Sequence, residues 1–340
     1  MPLKEPSWWY GPASTRNTLI AKCLSPLSTL YSMAGQRRLT VTTPWKAPVP
    51  VICIGNLTAG GTGKTPTARA VAQLAAANGH TPAFLSRGYT GSTTAPTWVD
   101  VAIHTAEDVG DEPLLLAADH PTLVAKHRAD GARRIVATRP DISLIILDDG
   151  LLNPQLKQDY AIALIDGQRG LGNGRVIPSG PLRAPLHVQL PRVDLAIIKQ
   201  AADPDQSLPL AVLRASTIPI GKLQIRARPL NHIDKTRPVI AFCGIGNPKG
   251  FYETLKAEGF TLVDTVSFAD HASLSEADAK ALFDKAASSH AALVTTEKDA
   301  ARLNPVNPAH MKLREKTAVL MIDVVFDDVA STAIAAALRR

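Results

Sequence analysis

The chain has 340 residues, 45% of them hydrophobic, which is ample for a core and suggests two domains on length alone. A formal net charge of +7 favours an anionic partner, while 5% aromatic content without an aromatic-rich basic module argues against nucleic acid. Cys23, Cys53 and Cys243 are scattered and odd in number, so they form neither a disulfide frame nor metal-site spacing and suit a reduced compartment.

Residues 1–45 form an N-terminal segment of their own kind. Trp8, Trp9 and Tyr10 precede an apolar stretch from Leu19 to Ala34, which ends at Arg37 and Arg38. The weak basic start and the lack of a small-residue cleavage site exclude a signal peptide. Lys22, several serines and Pro26 interrupt the run, which makes it a poor spanning helix. Aromatics at one end and arginines at the other suit a helix lying in a membrane interface. The alternative is an amphipathic helix packed on the protein's own core.

Strand and helix signals alternate from residue 46 to 200, as a parallel α/β domain requires. The spacing predicts strands at Val49–Ile54, Thr81–Leu85, Thr122–Ala125, Ser143–Leu147, Tyr160–Ile165 and Val193–Lys199. Helices are predicted at Thr65–Ala77, Ala106–Asp119 and Ala129–Thr138. Recurring prolines mark 201–236 as a linker region, and a smaller α/β unit is expected over 237–340. The fold class is therefore a P-loop NTPase-like parallel sheet domain with a second, smaller α/β domain.

The sharpest motif is "GNLTAGGTGKTPTARA", Gly55 to Ala70, between a β-branched run and an Ala-rich helix. Gly60, Gly61 and Gly63 allow positive φ, which turns backbone N–H groups inward around phosphates. Thr58, Ala59, Gly60, Gly61, Thr62, Gly63, Lys64 and Thr65 are the predicted nucleotide-phosphate residues. Lys64 can reach the β- and γ-phosphates, and the Thr65 hydroxyl can ligate Mg²⁺. The general pattern asks for glycine where Thr58 stands.

"SLIILDDG" ends a strand with Asp148 and Asp149, where a Mg²⁺-organising carboxylate belongs; paired acids there can also simply form a turn. "VGDEPLLLA" sets Asp111 and Glu112 at a helix start, where plain capping is the competing explanation. "FADHASLS" supplies Asp270 and His271 in a loop. "GLGNGRVIPSGPLRAPL" is a long loop with Arg169, Arg175 and Arg183, suited to a phosphorylated substrate or to ordinary surface solvation. "TTEKDAARL" can contact a nucleotide base or ribose, or can start a charged helix.

Taken together and in this order, these motifs resemble the tetraacyldisaccharide 4'-kinase family, the lipid A 4'-kinases. The resemblance rests on "GNLTAGGTGKTP", "SRGY", "GDEP", "DDG", "GNGRVIPSGPLRAP", "FADH" and "TEKDAARL", and it runs from the N-terminal apolar segment to about Leu303. Thr58 in the phosphate loop is a habit of that family. The resemblance implies transfer from ATP, with Mg²⁺, to the 4'-hydroxyl of a tetraacylated disaccharide 1-phosphate. It also implies work at the cytoplasmic face of the inner membrane of a Gram-negative bacterium.

By the same resemblance, Lys64 and Thr65 hold phosphates and metal, and Asp149, with Asp148, organises Mg²⁺. Asp111 takes the proton of the sugar hydroxyl, with His271 tuning or orienting it. Arg175 and Arg183 are the expected substrate contacts, the membrane surface is the expected partner, and no obligate protein partner is expected. Two departures stand out: Leu151, Leu152 and Asn153 follow "DDG", and Ala272 follows His271. A P-loop switch or metallochaperone and a kinase for a soluble sugar or nucleoside are the competing classes. The apolar N-terminus and the arginine loop argue against the first, and the apolar N-terminus argues against the second.

Overall fold

The computed structural model describes residues 6–11, 14–199, 213, 216–230, 233–269, 272 and 274–339. The strands of the first half are β1 (Val51–Asn56), β2 (Pro82–Ser86), β3 (Thr97–Trp98), β4 (Thr122–Val124), β5 (Leu144–Asp148), β6 (Tyr160–Asp166) and β7 (Leu195–Lys199). They continue with β8 (Ile220–Ala227), β9 (Val239–Cys243), β10 (Leu262–Ser267), β11 (Ala292–Thr296), β12 (Thr317–Leu320) and β13 (Ile322–Phe326).

Nine strands form one sheet in the order β13-β8-β7-β6-β1-β5-β2-β4-β3. Its pairings are parallel except at the two edges, β13–β8 and β3–β4. The β-branched run that makes β1 is buried along its whole length, as a central parallel strand must be. Its side chains alternate between the sheet's two cores. Val51 and Cys53 join one cluster; Ile52 and Ile54 join the other. The helix Lys64–Ala77 packs on the second face through Ala68, Val71, Ala72 and Ala75, one stripe at helical spacing.

A second sheet, β10-β9-β11-β12, is parallel throughout. Val239, Ala241 and Cys243 face one of its cores, and Ile240 and Phe242 face the other. The P-loop NTPase-like domain with a smaller α/β unit is thus the observed architecture.

Three boundaries differ from the sequence reading. The helix expected over Ala106–Asp119 is two helices, Ala106–Val109 and Asp111–Ala117, broken at Gly110. Gly110 has φ +91°, and a Cβ there would lie 2.6 Å from the carbonyl oxygen of Tyr89, so only glycine fits the corner. The linker expected over 201–236 contains β8, a strand of the large sheet, whose isolated look came from its prolines on either side.

The unit expected over 237–340 gives back its end. "TAVLMIDVVF" reads as one strand, but it is two. β12 closes the small sheet, and after Met321 β13 pairs antiparallel with β8. The last helix, Asp328–Leu338, then buries Ala330, Ile334 and Leu338 in the same core as Ile52 and Val71. Apolar pattern alone does not reveal which sheet a strand joins. The outgoing and returning chains cross side by side, with Arg228 N–H donating to Met321 O at 2.8 Å.

The N-terminal segment is a short turn of helix, Ser7–Tyr10, followed by helices Thr15–Cys23 and Ser25–Val41, which meet at Leu24 just before Pro26. Leu19, Leu27, Leu30 and Met33 are exposed by 55–63%. Among the described residues no helix is long and apolar enough to cross a membrane.

Candidate functional site

The phosphate loop connects β1 to the helix beginning at Lys64, at the carboxyl edge of the large sheet. Gly63, the residue before that helix, has φ +90°, and Gly60 has φ +112°, conformations that L side chains strain to adopt. Thr58 needs no such freedom. It forms an antiparallel bridge with Leu182, flanked by Ala59 N–H to Pro181 O at 2.8 Å and Arg183 N–H to Leu57 O at 3.0 Å. A β-bridge holds this end of the loop where a glycine stands in the general pattern. Thr65 is buried at the helix start, and the buried Thr62 Oγ1 has no hydrogen-bond partner among the described residues.

Parallel register sets the acids beside this loop: Ile54 of β1 is level with Asp148, the last residue of β5. Asp148 is 2% exposed, and its Oδ1 has no hydrogen-bond partner among the described residues. Burial raises its carboxyl to about 8, with Glu112 and Asp149 adding to the rise and Lys64 and Arg128 opposing it. Asp149 turns into the left-handed region at φ +53° and is held by N–H donation to Ile54 O at 2.9 Å.

Asp149 receives the site's cations. Arg183 grips it with Nη1 on Oδ1 at 2.7 Å and Nη2 on Oδ2 at 3.0 Å, and Lys64 Nζ lies 3.7 Å from Oδ2. Burial pushes this carboxyl up, but Arg183 and Lys64 outweigh it, and the net effect is to lower it below the usual value. Arg183 also donates from Nε to Thr58 O at 3.2 Å, which ties the arginine loop to the phosphate loop.

Arg128 was not singled out in the sequence, since a basic residue at a helix start in "KHRAD" looks ordinary. It is 3% exposed, donates from Nη1 to Ala125 O at 2.6 Å, and keeps a buried Nε without a partner among the described residues. Burial lowers it to about 10, with Arg87 of "SRGY" adding to the fall against the pull of Asp148 and Asp149. It therefore stays a cation at neutral pH.

Asp111 opens the helix Asp111–Ala117 and is 5% exposed. Arg302 Nη2 lies 2.7 Å and Lys298 Nζ 3.3 Å from its Oδ2, both from the helix Glu297–Arg302 of the small-sheet unit. Its Oδ1 accepts from Glu112 N–H at 3.0 Å. Asp270 and His271 lie outside the described residues. Arg175 sits on the same loop as Arg183, and its backbone closes that loop onto Asn173 and Leu182, but it is not among the groups gathered around Asp149.

The N-terminal aromatics dock on this loop. Trp8 and Trp9 donate from Nε1 to Pro178 O at 3.2 and 3.0 Å, and Tyr10 donates to Ala59 O at 3.4 Å. Arg169 lies over the Tyr10 ring, 5.3 Å from its centre. Ser28 of the helix Ser25–Val41 hydrogen-bonds Val176 O at 2.8 Å and Ser179 Oγ at 2.7 Å. These half-buried rings therefore serve as a protein contact, and the exposed apolar residues lie further along the segment.

A parallel sheet, a glycine loop entering a helix, a loop lysine and threonine, and strand-end acids define a P-loop phosphotransferase or hydrolase. The family described as Tetraacyldisaccharide-1-P 4'-kinase matches residues 20–339, and the chain belongs to it. The Tetraacyldisaccharide 4'-kinase of Parvibaculum lavamentivorans is 42% identical over 331 residues, spanning 97% of this chain and 96% of that one. The enzyme of the same name from Allorhizobium ampelinum is 42% identical over 338 residues, spanning 97% and 95%. The crystal structure of an "apo" form of LpxK from Aquifex aeolicus in complex with ATP superposes with a TM-score of 0.74 at 25% identity, covering 94% of this chain and 99% of that one.

Proposed function

We propose that this chain transfers the γ-phosphoryl group of ATP to the 4'-hydroxyl of tetraacyldisaccharide 1-phosphate, the step that commits the lipid A precursor to its second phosphate. Family membership and near full-length relatives named for this kinase support the activity. The observation that carries the reading of the site is the gathering of Lys64, Arg183, Asp148 and Asp149 around one phosphate loop. Phosphoryl transfer needs positioning and charge stabilisation more than covalent chemistry, and this set supplies both.

Lys64 and Arg183 are the cations for the transferring group. Thr65, Asp148 and Asp149 would hold Mg²⁺, which neutralises phosphate charge when bound. The residues fit that ion: Asp148 offers a buried oxygen without a protein donor, and Asp149 is kept ionised by its neighbours. Asp111 takes the proton of the sugar hydroxyl, assisted by His271, because carboxylates committed to a metal lose basicity. Arg175, with Arg183, faces the acceptor's negative charge.

The lipid is met at the membrane surface, at the cytoplasmic face of the inner membrane of a Gram-negative bacterium. Exposed Leu19, Leu27, Leu30 and Met33, next to Arg37 and Arg38, support that contact. The test is ATP consumption with and without detergent-dispersed disaccharide 1-phosphate. The lipid should stimulate turnover stoichiometrically with a new phosphomonoester. A rate indifferent to the lipid would favour a P-loop switch.

A further inference from the structure

The motif "TTEKDAARL" is ambiguous as sequence, and its placement gives it a distinct job. The helix Glu297–Arg302 projects three side chains from the small-sheet unit onto the large one. Glu297 Oε1 accepts from Arg69 Nη1 at 2.8 Å, and Arg69 belongs to the helix that follows the phosphate loop. Its Oε2 accepts from Ile322 N–H at 3.2 Å, where the chain returns to the large sheet. Lys298 and Arg302 meet on Asp111 Oδ2, with Arg302 donating from Nη2 at 2.7 Å and from Nε at 3.2 Å.

The guanidinium is itself fixed from behind. Its Nη1 donates to Gly244 O at 2.6 Å and to Asp299 Oδ1 at 3.1 Å. Asp299 is fully buried, and its Oδ1 also accepts from Gly244 N–H at 2.8 Å, while its Oδ2 takes the Thr296 hydroxyl at 2.6 Å. The turn after β9 thus sets the plane of Arg302, and Arg302 sets the carboxylate of Asp111 across the unit boundary. Two donors of one planar guanidinium converge on a single oxygen of a buried carboxylate, which fixes direction as well as charge in a way that a lysine alone does not.

We propose that Arg302, seconded by Lys298, is a positioning residue for phosphoryl transfer. From the small-sheet unit it holds Asp111 in the orientation from which that carboxylate accepts the acceptor's proton. The inference rests on the role proposed above for Asp111. Chemistry is thereby tied to the seating of one unit on the other, because a misplaced base about 1 Å from its working position loses on the order of 10²-fold in rate.

The test compares Arg302→Gln, Arg302→Lys, Glu297→Gln and Asp111→Asn, each checked for folding by thermal unfolding. Binding of a fluorescent ATP analogue is measured alongside kcat, KM for lipid and the pH profile. Among the described residues the charges facing Asp111 are Lys298 and Arg302, with Asp299 behind Arg302 and Glu112 beside it on its own helix. Arg302→Gln should lower kcat about 10- to 100-fold with ATP binding nearly unchanged. The acid limb of its kcat profile should move to higher pH, because the carboxylate loses a cationic neighbour.

Arg302→Lys should keep the acid limb near its original place and recover only part of kcat. Should Arg302→Gln not fold, this variant and its KM-against-kcat split carry the test alone. A purely structural clamp predicts that Glu297→Gln lowers kcat as much as Arg302→Gln and that neither moves the acid limb, which would overturn the proposal. A wild-type profile for Arg302→Gln beside an inactive Asp111→Asn would overturn the positioning role and leave the base in place. An active Asp111→Asn would remove the base itself, and the inference with it.

Discussion

Arg183 and Asp149 form a two-pronged ion pair, 2.7 and 3.0 Å, between a loop that follows β6 and the turn that ends β5. Lys64 leans on the same carboxylate from the start of the helix Lys64–Ala77, so one acid gathers two cations at the carboxyl edge of the sheet. Arg183→Ala should lower kcat/KM for ATP by roughly 10²-fold, the usual cost of one preorganised charge contact. Arg183→Lys should recover only part, because a point charge cannot span both carboxylate oxygens. Steady-state kinetics across ATP concentration measures this, and a loss confined to the KM for lipid would move Arg183 wholly to the acceptor side.

Lys64→Ala should nearly abolish turnover, by about 10²–10³-fold, since it removes the loop's own fixed charge beside the transferring group. Unfolding should occur at nearly the wild-type temperature, because Asp149 keeps its pairing with Arg183. Turnover within a few-fold of wild type would remove the phosphate-loop assignment.

Asp148 gives a pH signature. Its folded value of about 8 lies above the ordinary 3.8, so the folded chain takes up a proton that the unfolded chain releases between these limits. The stability it contributes is full below the lower value and is lost as pH rises through about 8. Without Mg²⁺ or nucleotide, Asp148→Asn should therefore gain Tm relative to wild type as pH rises from 5 to 9. If Asp148 holds Mg²⁺ as proposed, Mg²⁺-nucleotide affinity of the wild type should rise over the same range, since a metal ligand must be ionised. Parallel Tm curves for the two proteins would contradict the buried, proton-holding state.

The proposed membrane contact should separate from catalysis. Changing Leu19, Leu27, Leu30 and Met33 to Ser should weaken binding to anionic phospholipid vesicles and raise the KM for lipid. ATP binding should survive, because the docking contacts of Trp8, Trp9, Tyr10 and Ser28 are untouched. Vesicle flotation reads the first effect and nucleotide titration the second. Unchanged flotation would place the membrane contact elsewhere on the surface.

The local structure of the glycine loop was legible in the sequence because local rules write it: glycines where φ is positive at Gly60 and Gly63, a β-branched strand before, an Ala-rich helix after. Arg302 was not, since its partner Asp111 lies 191 residues away and no spacing encodes that meeting. Arg128 escaped for a related reason, as its significance is burial beside Asp148 and not its helix position. The corner at Gly110 was missed because helical periodicity runs straight through it, and only the close approach of Tyr89 O demands the break. The return of β13 to the large sheet was hidden by the single residue, Met321, that separates it from β12. The docking of Trp8 and Trp9 was not legible either, because aromatics at the head of an apolar segment suit a membrane interface or the protein's own surface, and only the fold brings their indole N–H groups to Pro178 O.

Phosphoryl transfer from ATP to a lipid hydroxyl, with Asp111 proposed as the proton acceptor, is open to direct measurement. The most direct measurement is incubation of wild type and Asp111→Asn with γ-labelled ATP and purified tetraacyldisaccharide 1-phosphate, followed by separation of the lipids. The wild type should yield a labelled bis-phosphorylated lipid, the variant should be slower by about 10²–10⁴-fold, and ATP affinity should be nearly equal in both. Label appearing only as inorganic phosphate, or equal lipid labelling by the two proteins, would contradict this assignment.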